Sequence, residues 1–146
     1  MINFIFITNA PDLAQFAESA GVQRIMIDLE RDGKLERQGH LDTLISQHSL
    51  ADIKPVKARL DQAELIVRLN PLSGRSLQEI DSAIASGADI LMLPMFYSAA
   101  EVEEFVALVD GRARVMPLVE TYAAAQDISS IAALPGVSEV FIGLND

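Results

Sequence analysis

The chain has 146 residues, half of them apolar, with 21 acidic side chains against 11 basic ones and a formal net charge of −10. That balance argues against a nucleic-acid binder, which needs clustered Lys and Arg, and the apolar content argues against a disordered tail. With no cysteine in the chain, a disulfide framework and a thiolate metal site are excluded as well.

Taken in order, the first stretch, Met1 to Ile7, is apolar. It lacks a basic flank and meets Asp12 too soon for a signal peptide. Phe4 to Thr8 predicts a strand, and Pro11 to Ala20 a helix that stops at Gly21. Arg24 to Glu30 predicts the second strand. A long polar stretch follows, in which bases between Arg31 and Arg59 are interrupted by acids, as on a solvated face. Ser49 with Asp52 predicts the cap of the next helix, with Pro55 in its first part. Leu65 to Leu69 is the third predicted strand. Ser76 and Glu79 have capping-box spacing for a helix ending at Gly87, and Ser98 with Glu101 repeats it after a fourth strand, Ile90 to Leu93. The apolar run from Ile90 to Ala100 contains Pro94 and is far too short to span a membrane. Arg114 to Val119 predicts the fifth strand, Gln126 to Leu134 a helix, and Glu139 to Ile142 the sixth strand. The expectation is a soluble, cytoplasmic protein with no membrane or nucleic-acid partner.

Six strands alternating with five helices imply parallel pairing through right-handed crossovers, and such continuously apolar strands are buried on both faces. An open doubly wound sheet and a (β/α)8 TIM barrel both fit that alternation. The barrel is favoured because an open sheet would leave the first and sixth strands as bare edges. Thr8-Asn-Ala-Pro11 also stands where a Gly-rich phosphate loop would follow the first strand. A whole barrel takes about 250 residues. The expectation is therefore one incomplete barrel domain over residues 1–146, cut after the sixth strand with two βα units absent.

In parallel α/β folds the functional groups gather at the carboxyl ends of the strands. Here those ends read Asp28 and Glu30, Arg68 and Asn70, Pro94, Glu120, then Asn145 and Asp146. A single charge there can be a solvated boundary, but in a barrel all of these face one cavity. Glu120 and Asp146 offer hard oxygen ligands for Mg²⁺ or Mn²⁺, with water and substrate completing the shell. Arg68 has the fixed charge and forked donors to grip a carboxylate or a developing enolate.

Five segments in order carry a resemblance: Ile25-Met-Ile-Asp-Leu-Glu30, Ile66-Val-Arg-Leu-Asn70, Gly87 to Met95, Pro117-Leu-Val-Glu120 and Pro135 to Asp146. They look like the successive strand motifs of the HpcH/HpaI aldolase and citrate lyase beta-subunit family. The resemblance implies a TIM barrel of the phosphoenolpyruvate/pyruvate superfamily, a divalent metal and a homo-oligomer. It also implies Glu120 and Asp146 as metal ligands, Arg68 as the contact to the pyruvate or acyl moiety, and backbone amides of Gly143, Leu144 and Asn145 holding the substrate carboxylate.

The chain departs from that pattern in three places. Arg31 stands where the pyruvate aldolases carry a proton-transferring His, and an always-protonated guanidinium is no ordinary base. The stretch from Arg31 to His48 is long and polar. The sequence stops at the metal-binding Asp146. His40 is the candidate replacement base, against the plainer expectation that His40 and His48 are both exposed loop residues. Asp28 and Glu30 either orient metal-bound water or serve as hydrogen-bond partners of Arg68. Met92, Met95 and Phe96 read as core filling, and Arg75 as an exposed turn residue.

The expected function is a metal-dependent carbon–carbon lyase of the class II aldolase type, cleaving a small 2-keto acid through an enolate of pyruvate. The alternatives are a citrate-lyase-like enzyme acting on a CoA thioester, and a non-catalytic fragment or interaction module.

Overall fold

The computed structural model of the chain describes residues 2–32 and 47–144. Its strands are β1 (Ile5–Ile7), β2 (Arg24–Asp28), β3 (Glu64–Arg68), β4 (Ile90–Leu93), β5 (Arg114–Val119) and β6 (Phe141–Ile142). They form one sheet in sequence order, and every neighbouring pair is parallel. Helices α1 (Pro11–Ser19), α2 (Ile53–Lys57), α3 (Ser76–Ser86), α4 (Ala99–Val109), α5 (Tyr122–Gln126) and α6 (Ile128–Ala132) lie in the connections.

Period-two alternation sorts each strand into an outer and an inner set. Ile25, Ile27, Leu65, Val67, Leu91, Leu93, Val115 and Val119 pack outward against the helices. The helices answer with apolar stripes, such as Val102, Phe105 and Val109 on α4. The inward set is Met26, Ile66, Ile90, Met92, Met116 and Leu118, with Ile5 packed against it. Met92 and the fully buried Phe96 are core residues, as expected.

Two residues below that inner layer come Arg24, Glu64 and Arg114. Arg24 bonds Glu64 through Nε at 3.1 Å and Glu139, just before β6, through Nη1 at 2.7 Å. Arg114 pairs with the other oxygen of Glu64. These bonds decide the shape. In a flat sheet β2 and β6 would lie roughly 19 Å apart, four strand spacings, which no side-chain pair spans. The six strands are curled into part of a barrel, with an ion-pair ring across its base.

Local chemistry mostly follows the sequence. Ser49 and Asp52 form a reciprocal cap on the 3-10 turn Leu50–Asp52 that leads into α2, and the Ser98 hydroxyl accepts from the Glu101 amide. Gly87 ends α3 at φ +109°, where a side chain would also strike Lys57. Two expectations fail. Ser76 and Glu79 do not cap α3. Ser76 Oγ accepts from the Ser73 amide, while Glu79 reaches back to Asn70, accepting from its amide at 3.3 Å and its Nδ2 at 3.1 Å. The helix expected over residues 126–134 is two short ones, the first started by Thr121, whose hydroxyl accepts from the Ala124 amide.

Candidate active site

Two residues above the inner layer come Asp28, Arg68 and Glu120, on the same face as Met26, Ile66 and Leu118. Register sets Asp28 directly beside Arg68. The guanidinium forks onto the carboxylate, Nε to Oδ1 at 2.8 Å and Nη2 to Oδ2 at 2.7 Å. Glu30 stands 3.6 Å from the same Nε, and its own amide donates to Asp28 Oδ1 at 3.2 Å. The Asp28 and Glu30 side chains are each 2 % exposed and that of Arg68 is 15 % exposed. Burial works against the charge on Arg68. The Asp28 hydrogen bonds and the negative charges of Asp28, Glu30 and Glu120 outweigh it and raise the pKa above the ordinary arginine value. The geometry therefore makes Asp28 and Glu30 direct partners of Arg68. Arg68 Nη1 makes no hydrogen bond among the described residues.

Glu120 follows β5 and is held from two sides. Met95, just past β4, donates its amide to Glu120 Oε1 at 3.0 Å, and does so from a left-handed backbone conformation, φ +50°. A non-glycine residue held there carries strain that the surrounding packing must impose. On the other side, Gly143 donates its amide to the Val119 carbonyl at 2.9 Å, continuing the β5–β6 ladder. A Cβ on Gly143 would lie 2.9 Å from Glu120 Cβ and 3.2 Å from Oε2. Only glycine lets this backbone run so close to the carboxylate. Glu120 is thus a hard oxygen donor at the barrel mouth, which suits Mg²⁺ or Mn²⁺.

His40, Asn145 and Asp146 lie outside the described residues. Among the described ones, no group of three or more His, Cys, Asp or Glu side chains is arranged to hold a metal ion. Leu144 is strongly exposed beyond Gly143. Arg31 does not enter the barrel mouth by any described contact. Its Nη2 donates to the His48 carbonyl at 2.9 Å, and its amide, with that of Asp32, donates to Asn70 Oδ1. Arg75 is exposed, as expected, and pairs with Asp32.

His48 corrects an expectation. It is not an exposed loop residue but 8 % exposed, and its Nδ1 accepts from the Asp28 amide at 3.0 Å. Its ring lines a cleft of about 350 Å³ with Leu29, Leu69, Asn70 and Glu79. The spacing of His48 from Asp28 carries no sequence signal. Only the fold joins them.

A model of the HpcH/HpaI aldolase/citrate lyase family matches residues 4–146. The chain belongs to this family. Solved structures agree on the fold. The HpcH/HpaI aldolase of Desulfitobacterium hafniense DCB-2 superposes with a TM-score of 0.73 at 17% identity, over 97% of this chain and 62% of that one. An HpcH/HpaI aldolase/citrate lyase family protein of Burkholderia cenocepacia J2315 gives 0.70 at 17%, over 97% and 63%. The citrate synthase SbnG gives 0.70 at 16%, over 95% and 60%. The chain thus spans about three-fifths of the length of these relatives. No curated protein matches it. No helix among the described residues is long and apolar enough to cross a membrane.

Proposed function

We propose that this family member is a metal-dependent carbon–carbon lyase of the class II aldolase type, cleaving a small 2-keto acid through an enolate of pyruvate. The observation that carries the reading is the Arg68 guanidinium. It is fixed by Asp28 at the mouth of the barrel, within electrostatic reach of Glu120. A cation locked in place before substrate arrives stabilises developing enolate charge without reorganisation. Arg68 grips the keto-acid carboxylate or the enolate oxygen, and the backbone amides of Leu144 and Asn145 hold the remaining carboxylate oxygen, since the expected Gly143 amide is already donated to the Val119 carbonyl.

Glu120 and Asp146 would hold Mg²⁺ or Mn²⁺. Bound there, the cation supplies Lewis acidity that makes the enolate accessible at neutral pH. Asp28 and Glu30 keep Arg68 aligned, and His40 is the candidate base in place of the missing His at position 31. The working form is a cytoplasmic homo-oligomer. Isothermal titration with Mg²⁺ and Mn²⁺ tests the ligand assignment: binding should be lost in Glu120→Gln, and unchanged binding overturns it. The pH profile of turnover in His40→Asn tests the base, since an unaltered profile removes His40 from the reaction.

A second reading, citrate-lyase-like cleavage of a CoA thioester, rests on Asp28-Leu29-Glu30, which suits that branch's Asp-Leu-Glu-Asp about equally well, with Asp32 one place late. Pyruvate release against acetyl-CoA release separates the two.

A further inference from the structure

We infer that His48 is a positioning residue for Arg68, acting through the backbone of Asp28. The functional part of this inference rests on the proposed role of Arg68. The structural part does not.

The parallel ladder explains why a histidine is needed. Leu29 donates its amide to the Arg68 carbonyl on β3, while the Met26 carbonyl accepts from Thr8 at the end of β1. Alternate residues of a strand bond to opposite neighbours, so the Asp28 amide faces the β1 side. There β1 has already ended at Ile7, and beyond it the Thr8 hydroxyl accepts from the Ala10 amide. The Asp28 amide is buried at a place where the sheet has run out of carbonyls. His48 Nδ1 takes the place of the missing acceptor at 3.0 Å. A buried amide without an acceptor is among the costlier defects in a fold.

That role fixes the chemistry of the ring. Nδ1 accepts only while it carries no proton, so the imidazole is neutral and its proton sits on Nε2. A doubly protonated ring would set one N–H against another. The ring is held in turn by its own chain. Arg31 Nη2 bonds the His48 carbonyl, and Ser49 with Asp52 closes the turn that follows. Asp52 also accepts from Asn9 Nδ2 at 3.2 Å, tying this turn to the segment after β1. Among the described residues, the charged groups facing His48 are Arg31, Asp52 and Asp28, with Glu79 across the cleft. The same Asp28 residue therefore bonds His48 through its amide and Arg68 through its carboxylate. Loss of the ring acceptor releases the top of β2, and the guanidinium moves with it.

The test compares His48→Leu with His48→Asn, whose Oδ1 can accept where Nδ1 did. In ¹⁵N-labelled protein, the Arg68 Nε–H signal should exchange with water about tenfold faster in His48→Leu, and His48→Asn should restore most of the protection. Pyruvate, titrated in Mg²⁺, should bind about tenfold more weakly to His48→Leu and recover in His48→Asn, a factor of the size one buried hydrogen bond supplies. An Arg68 signal unchanged in His48→Leu overturns the inference, as does equal behaviour of the two variants. Should His48→Leu fail to fold, an acid titration of the unaltered protein decides. The Asp28 amide and Arg68 Nε–H must shift together with protonation of the His48 ring, and independent shifts overturn the inference. Failure of the unaltered protein to bind pyruvate counts against the proposed function alone, since the Arg68 signal still judges His48.

Discussion

The two ends of the barrel interior use the same side chains for different purposes. At the base, Arg24 and Arg114 face Glu64 and Glu139, and each acid is bonded to an arginine across the ring. At the mouth, one arginine serves Asp28 directly, with Glu30 beside it and Glu120 near enough to act on its charge. The base is matched charge for charge and holds strands together. Hydrogen bonding to Glu139 above all, working against burial, raises the pKa of Arg24 above its ordinary value. Among the described residues, the mouth sets Asp28, Glu30 and Glu120 about the Arg68 guanidinium, at the end of the barrel where the proposed substrate would enter. Burying charge is costly at either end, so what separates them is place. The base lies below the inner apolar layer, and the mouth lies at the carboxyl ends of the strands, where a parallel α/β fold gathers its functional groups.

Breaking the mouth should have the largest effect. Arg68→Ala removes the forked partner of a buried carboxylate and is expected to cost about 3 kcal/mol in urea denaturation. Under the proposed reaction it should also lower turnover by about 10²–10³-fold, the size of losing one fixed oxyanion donor. Breaking the base should separate the two properties. Arg24→Met is expected to destabilise the fold by about 2 kcal/mol while leaving turnover per folded molecule unchanged. Equal losses of turnover in both variants would erase the distinction between the two ends.

A finer probe of the mouth is Gly143→Ala. The added methyl meets Glu120 Cβ, an atom that cannot move without its backbone, so the carboxylate must shift. Under the proposed metal assignment, divalent-cation affinity, read calorimetrically, should fall about tenfold with little change in the denaturation midpoint. The smallest effect belongs to a carboxylate outside the barrel. Glu18 accepts from the amides of Asp61, Gln62 and Ala63. Desolvation pushes its pKa up, but those three amides and Lys57 outweigh it and hold the pKa below the ordinary glutamate value. A depressed carboxylate contributes stability above its unfolded pKa and loses it as pH falls through the folded value. Glu18→Gln should therefore cost under about 1 kcal/mol at neutral pH, given its exposure, and the gap to the unaltered protein should close in acid.

The strand order, the helix faces and the line of rim residues were all legible in the chain, because period-two and period-3.6 patterns record which face a residue shows. Asp28, Arg68 and Glu120 each stand two residues past an inward apolar residue, so one rule predicts their common cavity. Glu79 was misread because its spacing from Ser76 mimics a capping box, whereas its carboxylate is drawn to Asn70, a partner brought near only by folding. His48 was misread for the same reason. A histidine in a polar stretch looks exposed until the early end of β1 leaves the Asp28 amide in need of an acceptor. The pairing of Arg24 with Glu139 spans more than a hundred positions, and no local pattern encodes it.

By itself the sequence determined the alternation of elements, the side each residue faces and the set of charged groups at the strand ends. Those depend on local periodicity, which the chain carries residue by residue. Tertiary structure alone decided that the base closes with matched ion pairs, and that Arg68 is held by Asp28 with His48 behind it. Such pairings depend on which buried donors and acceptors are left over once the strands are packed, and that is settled only in three dimensions.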